Sequence, residues 1–381
     1  MNVFETKFLQ AFPLKEWQKH KICIATSGGP DSVALLLALS SIAATENLKK
    51  NILVTTVDHQ LRGEESTEDA NFVERLAIVN EFAFEKRLLN PEELERETKR
   101  LGSLEDAARV LRYQELIKSA KKFGARYIVT AHHLGDQLET ILFRLFRGTG
   151  IEGLRGMMKY RKIDESILLV RPMLQIKKDE ILQYLEERNQ NYRVDSSNTS
   201  PQIIRNRIRR ELLPLLDSIF PQRWEKALLR LAQQNDSLCQ FFSDNVEQLE
   251  RALSRLQTNS HYFNRLLTSM RVDGKADPEY IPGKRVDLPL ETLSKVPNEI
   301  LIQYFRKLWK KMEWPLGSMG QSEWTRLALN VKSKRATQQF PGNVALLFLS
   351  SSVLRLERFD TVNQSSNSPS TIIPPNQTLC P

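Results

Sequence analysis

The stretch KICIATSGGPDSVALLLALSSIA, Lys21 to Ala43, sets two glycines, a proline and an aspartate between a short apolar run and a longer one. The first run has the length of a buried strand and the second that of a buried helix, so the bend between them reads as a strand-to-helix junction. The same alternation continues outward. NILVTTVDH reads as a second strand and ARYIVTAHH as a third, with helical periods in DSVALLLALSSIA, STEDANFVERLAIVNEFA and SLEDAARVLRYQELIKSAKKFG. Ser103, with Asp106 three residues on, resembles a capping box at the start of the last helix, and Gly124 is its stop. One more short strand and helix fall near RPMLQIKKDEILQYLEERNQNY.

Strands alternating with helices imply βαβ units, hence an α/β fold with a Rossmann-like parallel sheet in the N-terminal half. Pro214 and Pro221 punctuate its end, which gives a first domain over 1–217. A long amphipathic pattern beginning at RWEKALLRLAQQNDSL places a helical domain over 218–330. ATQQFPGNVALLFLSSSVLRLERF alternates around a Pro-Gly turn, so a small C-terminal β-containing unit is expected over 331–360. Residues 361–381 are rich in Ser, Asn and Pro, the composition of a flexible tail.

No apolar run approaches the roughly 18 residues that would span a bilayer. MNVFETKFLQAF lacks the basic and apolar regions of a secretory leader, so a cytoplasmic protein is expected. Cys23, Cys239 and Cys380 are scattered, with no CxxC pair, which speaks against structural zinc, disulfides and cysteine-relayed sulfur chemistry. The formal charge of +9 favours a polyanionic partner, although basicity alone specifies none. The oligomeric state is left open, a homodimer included.

In an open parallel sheet, ligands bind beyond the carboxyl ends of the strands, which is where SGGPDS lies. Gly28 and Gly29 let a backbone approach an anion closely, Pro30 opens the helix, and Ser27 and Ser32 add hydroxyls. The loop has no Walker lysine and is not GxGxxG. A bare carboxylate would repel phosphate unless a divalent cation bridged them, so Asp31 points to Mg2+ with a polyphosphate. Here the chain resembles the PP-loop (SGGxDS) ATP pyrophosphatase superfamily, whose members split ATP between the α and β phosphates to adenylylate a substrate.

Asp58 and His59 close the second strand near the presumed nucleotide, with Arg62 behind; a turn carboxylate is the plainer role for Asp58. Arg109 and Arg112 share a helix face suited either to phosphate or to a surface salt-bridge stripe. His132 and His133 end the third strand, while Asp136, Glu139 and Thr140 share one face of the next helix. The two carboxylates either cap that helix or bind an ammonium group. RNRIRR, Arg205 to Arg210, is a dense guanidinium cluster, a solvated helix face or a phosphate contact.

SGGPDS, VDHQLR, ARVLRY, AHHLGDQLET, RGTGIEGLRGM and RNRIRRELLP, in that order, closely resemble the tRNA(Ile)-lysidine synthetase family over most of the first domain. One departure is Gly135, where family members often carry an acidic or amide residue. The resemblance implies a carbon–nitrogen ligase with ATP, Mg2+, L-lysine and tRNA(Ile) bearing a CAU anticodon as its partners. ATP adenylylates C2 of the wobble cytidine, and the lysine ε-amine then displaces AMP. It further implies that Ser27, Gly28, Gly29, Pro30, Asp31, Ser32, Asp58 and His59 bind ATP, with Asp31 taking the metal through pyrophosphate. Arg112 and His132 would stabilise charge at the reacting centre, Asp136 and Glu139 would receive lysine, and Arg205, Arg207, Arg209 and Arg210 would hold tRNA. The downstream domains look like that family's tRNA-binding appendages.

A PP-loop thiolase would need relayed sulfur, which three scattered cysteines do not favour. An amidating ligase has less use for a basic helical domain, and a non-catalytic RNA binder leaves Asp31, Asp136 and Glu139 unexplained.

Overall fold

The computed structural model describes residues 2–58, 64–193, 204–221, 223–259, 285–317, 319–333 and 337–359. The N-terminal elements are α1 (Val3–Ala11), α2 (Leu14–Trp17), β1 (Lys21–Ala25), α3 (Pro30–Thr45), β2 (Ile52–Asp58) and α4 (Glu64–Val79). They continue with β3 (Ala83–Leu88), α5 (Pro91–Leu101), α6 (Leu104–Phe123), β4 (Ala125–Val129), α7 (Leu134–Phe146) and α8 (Ile151–Leu154). β5 (Tyr160–Lys162), β6 (Leu168–Val170) and α9 (Lys178–Glu187) complete the sheet and its cover. After them come α10 (Ile204–Arg207), a π-helical turn at Ile208–Leu212, α11 (Leu213–Ile219) and α12 (Trp224–Asn259).

The sheet runs β3-β2-β1-β4-β6-β5, parallel except for β5. β1 pairs with β2 through Ile22↔Ile52 to Ala25↔Thr55, and with β4 through Ile22↔Tyr127 to Ile24↔Val129. The chain moves outward from β1 to β3 and then returns to the other side of β1 as β4. That reversal opens a crevice between the carboxyl ends of β1 and β4, where neighbouring loops diverge. The fold therefore delivers the loops beginning at Thr26 and Thr130 to one place.

Helices cover both faces, which explains why ILVTTVD in β2 is buried nearly throughout rather than alternating. One face packs Ile22, Ile24 and Val54 against α1, α3, α4 and α9; the other packs Cys23, Leu53 and Ile128 against α6. α3 lies between the sheet and α1 and α9, so Leu35, Leu36 and Leu39 are buried around its whole circumference. Each such leucine contributes roughly 1.5–3 kcal/mol.

The structure corrects the sequence reading at one edge. The helix read through Ala83 ends at Val79, and AFEKRL forms β3, so ARYIVTAHH supplies the fourth strand rather than the third. β3 is an edge strand with partly exposed Glu85, Lys86 and Arg87, a placement that hides its strand pattern behind charge. α5 was missed for a related reason: PEELERETKRL buries only Leu94, which joins Leu89, Ala107 and Leu111 against α6. Ser103 and Gly124 bound α6 as expected, Ser103 Oγ accepting from Asp106 N at 3.2 Å.

Contacts divide the chain into two compact units, Met1–Ser237 and Leu238–Pro381, and the division falls within α12. The lines drawn from sequence at 217 and 330 differ because the prolines near 217 interrupt helices without ending the unit. In the second unit, β7 (Arg285–Pro289), α13 (Leu290–Ser294), α14 (Asn298–Lys311), α15 (Gln321–Ser333), β8 (Gln338–Phe340), β9 (Val344–Phe348) and β10 (Val353–Arg358) share one core. β7 comes from RVDLP, in a stretch that interrupts the helical pattern of the domain drawn over 218–330, and pairs with β10, where Arg355 grips Asp287 at 2.7 and 2.9 Å. The Pro-Gly hairpin joins β8 to β9. The tail at 361–381 lies outside the described residues, and among those described no helix is long and apolar enough to cross a membrane.

Candidate active site

β1 ends at Ala25, and Gly28 turns the chain with φ +85°, a left-handed conformation that costs a side-chain-bearing residue energy. Gly29 caps α3, with Pro30 in its first turn, where a missing N–H wastes no hydrogen bond. The amides of Asp31 and Ser32 lie in the first turn, beyond reach of intrahelical acceptors, and carry the positive end of the helix dipole. Ser32 Oγ donates to Gly29 O at 2.9 Å and accepts from Ser27 N at 3.2 Å. Its hydroxyl thus ties the elbow closed. Arg193 N donates to Gly28 O while its guanidinium holds Glu68 and Asp69 of α4, strapping the bend from outside.

The elbow forms one wall of a cleft of about 900 Å³, sufficient for a nucleotide and part of a second ligand. Ser27, Gly29, Pro30, Asp31, Ser32, Asp58, Arg112, His132, Asp136, Glu139 and Arg209 all line it. Gly28 supports that wall through its backbone turn. Asp58 is buried at the end of β2, with Lys86 Nζ at 3.2 Å. His59 and Arg62 lie outside the described residues. Arg205, Arg207 and Arg210 are not among the lining residues: Arg207 pairs with Glu211 on the surface, Arg205 faces Glu105 at 3.7 Å, and Arg210 is exposed.

The β4 end supplies the histidines. His132 Nδ1 lies 2.9 Å from Thr130 Oγ1. Burial, with the charges of Arg171, Arg109 and Arg112, holds its pKa well below the usual imidazole range. His132 is therefore uncharged at neutral pH in this state, and the positive charge beside it comes from arginine. Arg112 is half-buried, and the desolvation lowers its pKa, yet a guanidinium stays protonated in proteins.

His133 caps α7. Its N–H donates to Asp136 Oδ2 at 2.9 Å, and its Nδ1 accepts from Gly135 N at 2.9 Å. An accepting Nδ1 places the ring proton on Nε2, which lies 3.9 Å from Asp31 Oδ2 and 3.8 Å from Asp136 Oδ2. A Cβ at Gly135 would come within 2.7 Å of His133 Cε1. The departure at Gly135 thus makes room for the capping ring.

Asp136 and Glu139 share a face as the i, i+3 spacing dictates, and Asp136 is a helix cap as well as a wall of the cleft. Burial raises the Glu139 pKa, opposed by Arg209 and reinforced by the Asp136 charge. Burial lowers the Arg209 pKa, but the hydrogen bond and charge of Glu139 outweigh it and leave the net shift upward.

Sequence reasoning missed Lys178, whose Nζ sits 2.5 Å from Asp31 Oδ1. A signal existed: Lys177 and Lys178 begin α9, where the helix dipole disfavours cations unless a partner holds them. It also missed Arg171, whose guanidinium is buried with Nε unpaired beside His132. Among the described residues, no group of three or more His, Cys, Asp or Glu could hold a metal. Asp31 alone suits Mg2+, which is commonly bound by one or two carboxylates plus substrate phosphates. Cys23 is buried in the sheet with its thiol pushed up to about 12, and Cys239 is also buried.

Residues 1–216 match the PP-loop domain family. The tRNA(Ile)-lysidine synthase of Porphyromonas gingivalis is 38% identical over 232 residues, 61% of this chain and 48% of that protein. The enzyme of the same name from Bacillus subtilis is 36% identical over 231 residues, 60% of this chain and 48% of its own. The chain thus spans about half the length of these relatives. A U34-tRNA thiolase structure from Methanococcus maripaludis superposes with a TM-score of 0.47 at 14% identity, over 61% of this chain and 77% of that one.

Proposed function

The chain belongs to the PP-loop domain family, and from that premise we propose that it is a tRNA(Ile)-lysidine synthetase acting in the cytosol. The observation that carries this reading is the pairing, in one cleft, of a glycine elbow at a helix N-terminus with a carboxylate pair already gripping a cation. ATP requires the first feature and a free amino acid with two ammonium groups requires the second.

The elbow amides and Ser27 hold the triphosphate, and Asp31, once released by Lys178, would hold Mg2+, which supplies charge neutralisation on the phosphates. Arg112 stands where negative charge grows as the cytidine C2 oxygen attacks the α-phosphorus and pyrophosphate departs. His132 adds a polar ring whose proton affinity rises as phosphate approaches. The esterified oxygen then leaves as AMP when the lysine ε-amine attacks C2. That amine must first lose a proton, and the raised proton affinity of Glu139 suits it to accept one. Asp136 orients the amino acid. Arg205, Arg207 and Arg210 lie outside the cleft, positioned to take phosphates of an anticodon loop whose target base is splayed inward.

The test incubates the full chain with ATP, labelled L-lysine and an unmodified tRNA(Ile) transcript, followed by nucleoside analysis at the wobble position. Label in lysidine supports the reading; pyrophosphate release indifferent to lysine, with no labelled nucleoside, overturns it. A thiolase is disfavoured by the inert burial of Cys23 and the absence of paired cysteines among the described residues.

A further inference from the structure

Arg209 was expected to face RNA, yet it lies across the carboxylate pair. Its Nε donates to Glu139 Oε1 at 2.5 Å, and its Nη2 donates to Glu139 Oε2 and Asp136 Oδ1, each at 3.1 Å. The remaining oxygen, Asp136 Oδ2, accepts from His133 N at 2.9 Å. Every oxygen of the pair is therefore engaged by the protein itself. An ammonium group entering this subsite must share oxygens that already serve the guanidinium, and meets its positive charge, until Arg209 withdraws.

Two further observations make withdrawal feasible. Arg209 is carried on the π-helical turn Ile208–Leu212, a rare geometry that recurs at functional sites. Its side chain is 46% exposed, whereas that of Glu139 is 7% exposed, so the cation has a route to solvent that the carboxylate lacks. Both neighbours in the cluster, Arg207 and Arg210, already face outward.

Resting on the lysine-binding role of Asp136 and Glu139 proposed above, we infer that Arg209 is a specificity-determining residue that competes with L-lysine for the carboxylate pair. RNA phosphate is the alternative partner for the displaced guanidinium. A cation that must be either in the subsite or on RNA couples the two ligands: RNA drawing Arg209 outward empties the subsite, and lysine entering it frees Arg209 for RNA. Such linkage is reciprocal, and coupling of this kind commonly amounts to about 5–150-fold in affinity. The arrangement also sets a threshold against adventitious amines, since any ligand must outcompete a resident bidentate fork.

The test is calorimetric titration of L-lysine into the full-length wild-type protein and into R209M, each with and without an unmodified tRNA(Ile) transcript. Lysine should bind wild type at least about fivefold more tightly when RNA is present, while R209M binds it tightly in both conditions. Lysine that binds wild type and R209M equally, with no response to RNA, overturns the competition while leaving the function intact. No lysine binding to either protein in any condition removes the lysine role, and the competition with it. Because R209M leaves two carboxylates unpaired, RNA affinity of the unaltered protein is also measured with and without saturating lysine. Tightening by the same factor supports the coupling, and indifference refutes it.

Discussion

The β1 end of the cleft presents mainly backbone groups, whereas the α7 end presents carboxylates. The elbow's shape is held by Gly28 at φ +85°, by Pro30 and by the Ser32 hydroxyl, none of which depends on a ligand. The acidic face is compensated in advance by Arg209. The elbow is thus preorganised, and the acidic face is preloaded with a guanidinium. Substitutions should therefore separate the two ends kinetically.

The largest effect is expected at Asp31. D31A should reduce pyrophosphate release about 10²–10³-fold while tRNA binding stays near wild type, because in its proposed role the carboxylate acts on charge developing at the phosphates. Filter binding beside a pyrophosphate assay checks this, and wild-type turnover would remove the metal role. Next comes Glu139: E139Q should raise the lysine KM about tenfold with the ATP KM unmoved, the scale of one charge-assisted hydrogen bond. Equal changes in both constants would dissolve the distinction between the ends.

A smaller effect is expected where the two ends meet. G135V pushes its Cβ against the His133 ring, so the cap is lost at a cost of about 1 kcal/mol, read in thermal denaturation. The lysine KM should rise modestly through displacement of Asp136. The smallest effect concerns pH. The folded chain holds His132 neutral well below the pH at which an unfolded imidazole is protonated. Its contribution is therefore complete above about pH 6.5 and is lost as pH falls toward the folded value. Urea denaturation at pH 7.5 and 5.5 should show a smaller acid loss for H132Q than for wild type.

The parts legible in sequence were those where one residue type has few uses. Paired glycines before a helix, an aspartate inside an anion loop and two carboxylates on one helical face each restrict the chemistry before any fold is drawn. The cleft gathers these residues because the β1/β4 reversal juxtaposes their loops, a consequence of strand order that no local motif carries. β3 and α5 were hidden because their charged residues face solvent at the sheet edge and leave little apolar period. Gly135 was legible as a departure but not as a space, since the ring that fills it belongs to His133 and the distance is tertiary. Arg209 sits among its basic neighbours in RNRIRR, which is uniform in sequence, and only its tertiary contacts with Glu139 and Asp136 single it out.

A crystal structure of the full chain soaked with ATP and Mg2+ tests the central claim most directly. The account predicts the triphosphate against the amides of residues 28–32, with Asp31 on the metal and parted from Lys178. A nucleotide seated elsewhere, with the Lys178–Asp31 pair intact and the elbow vacant, would contradict it.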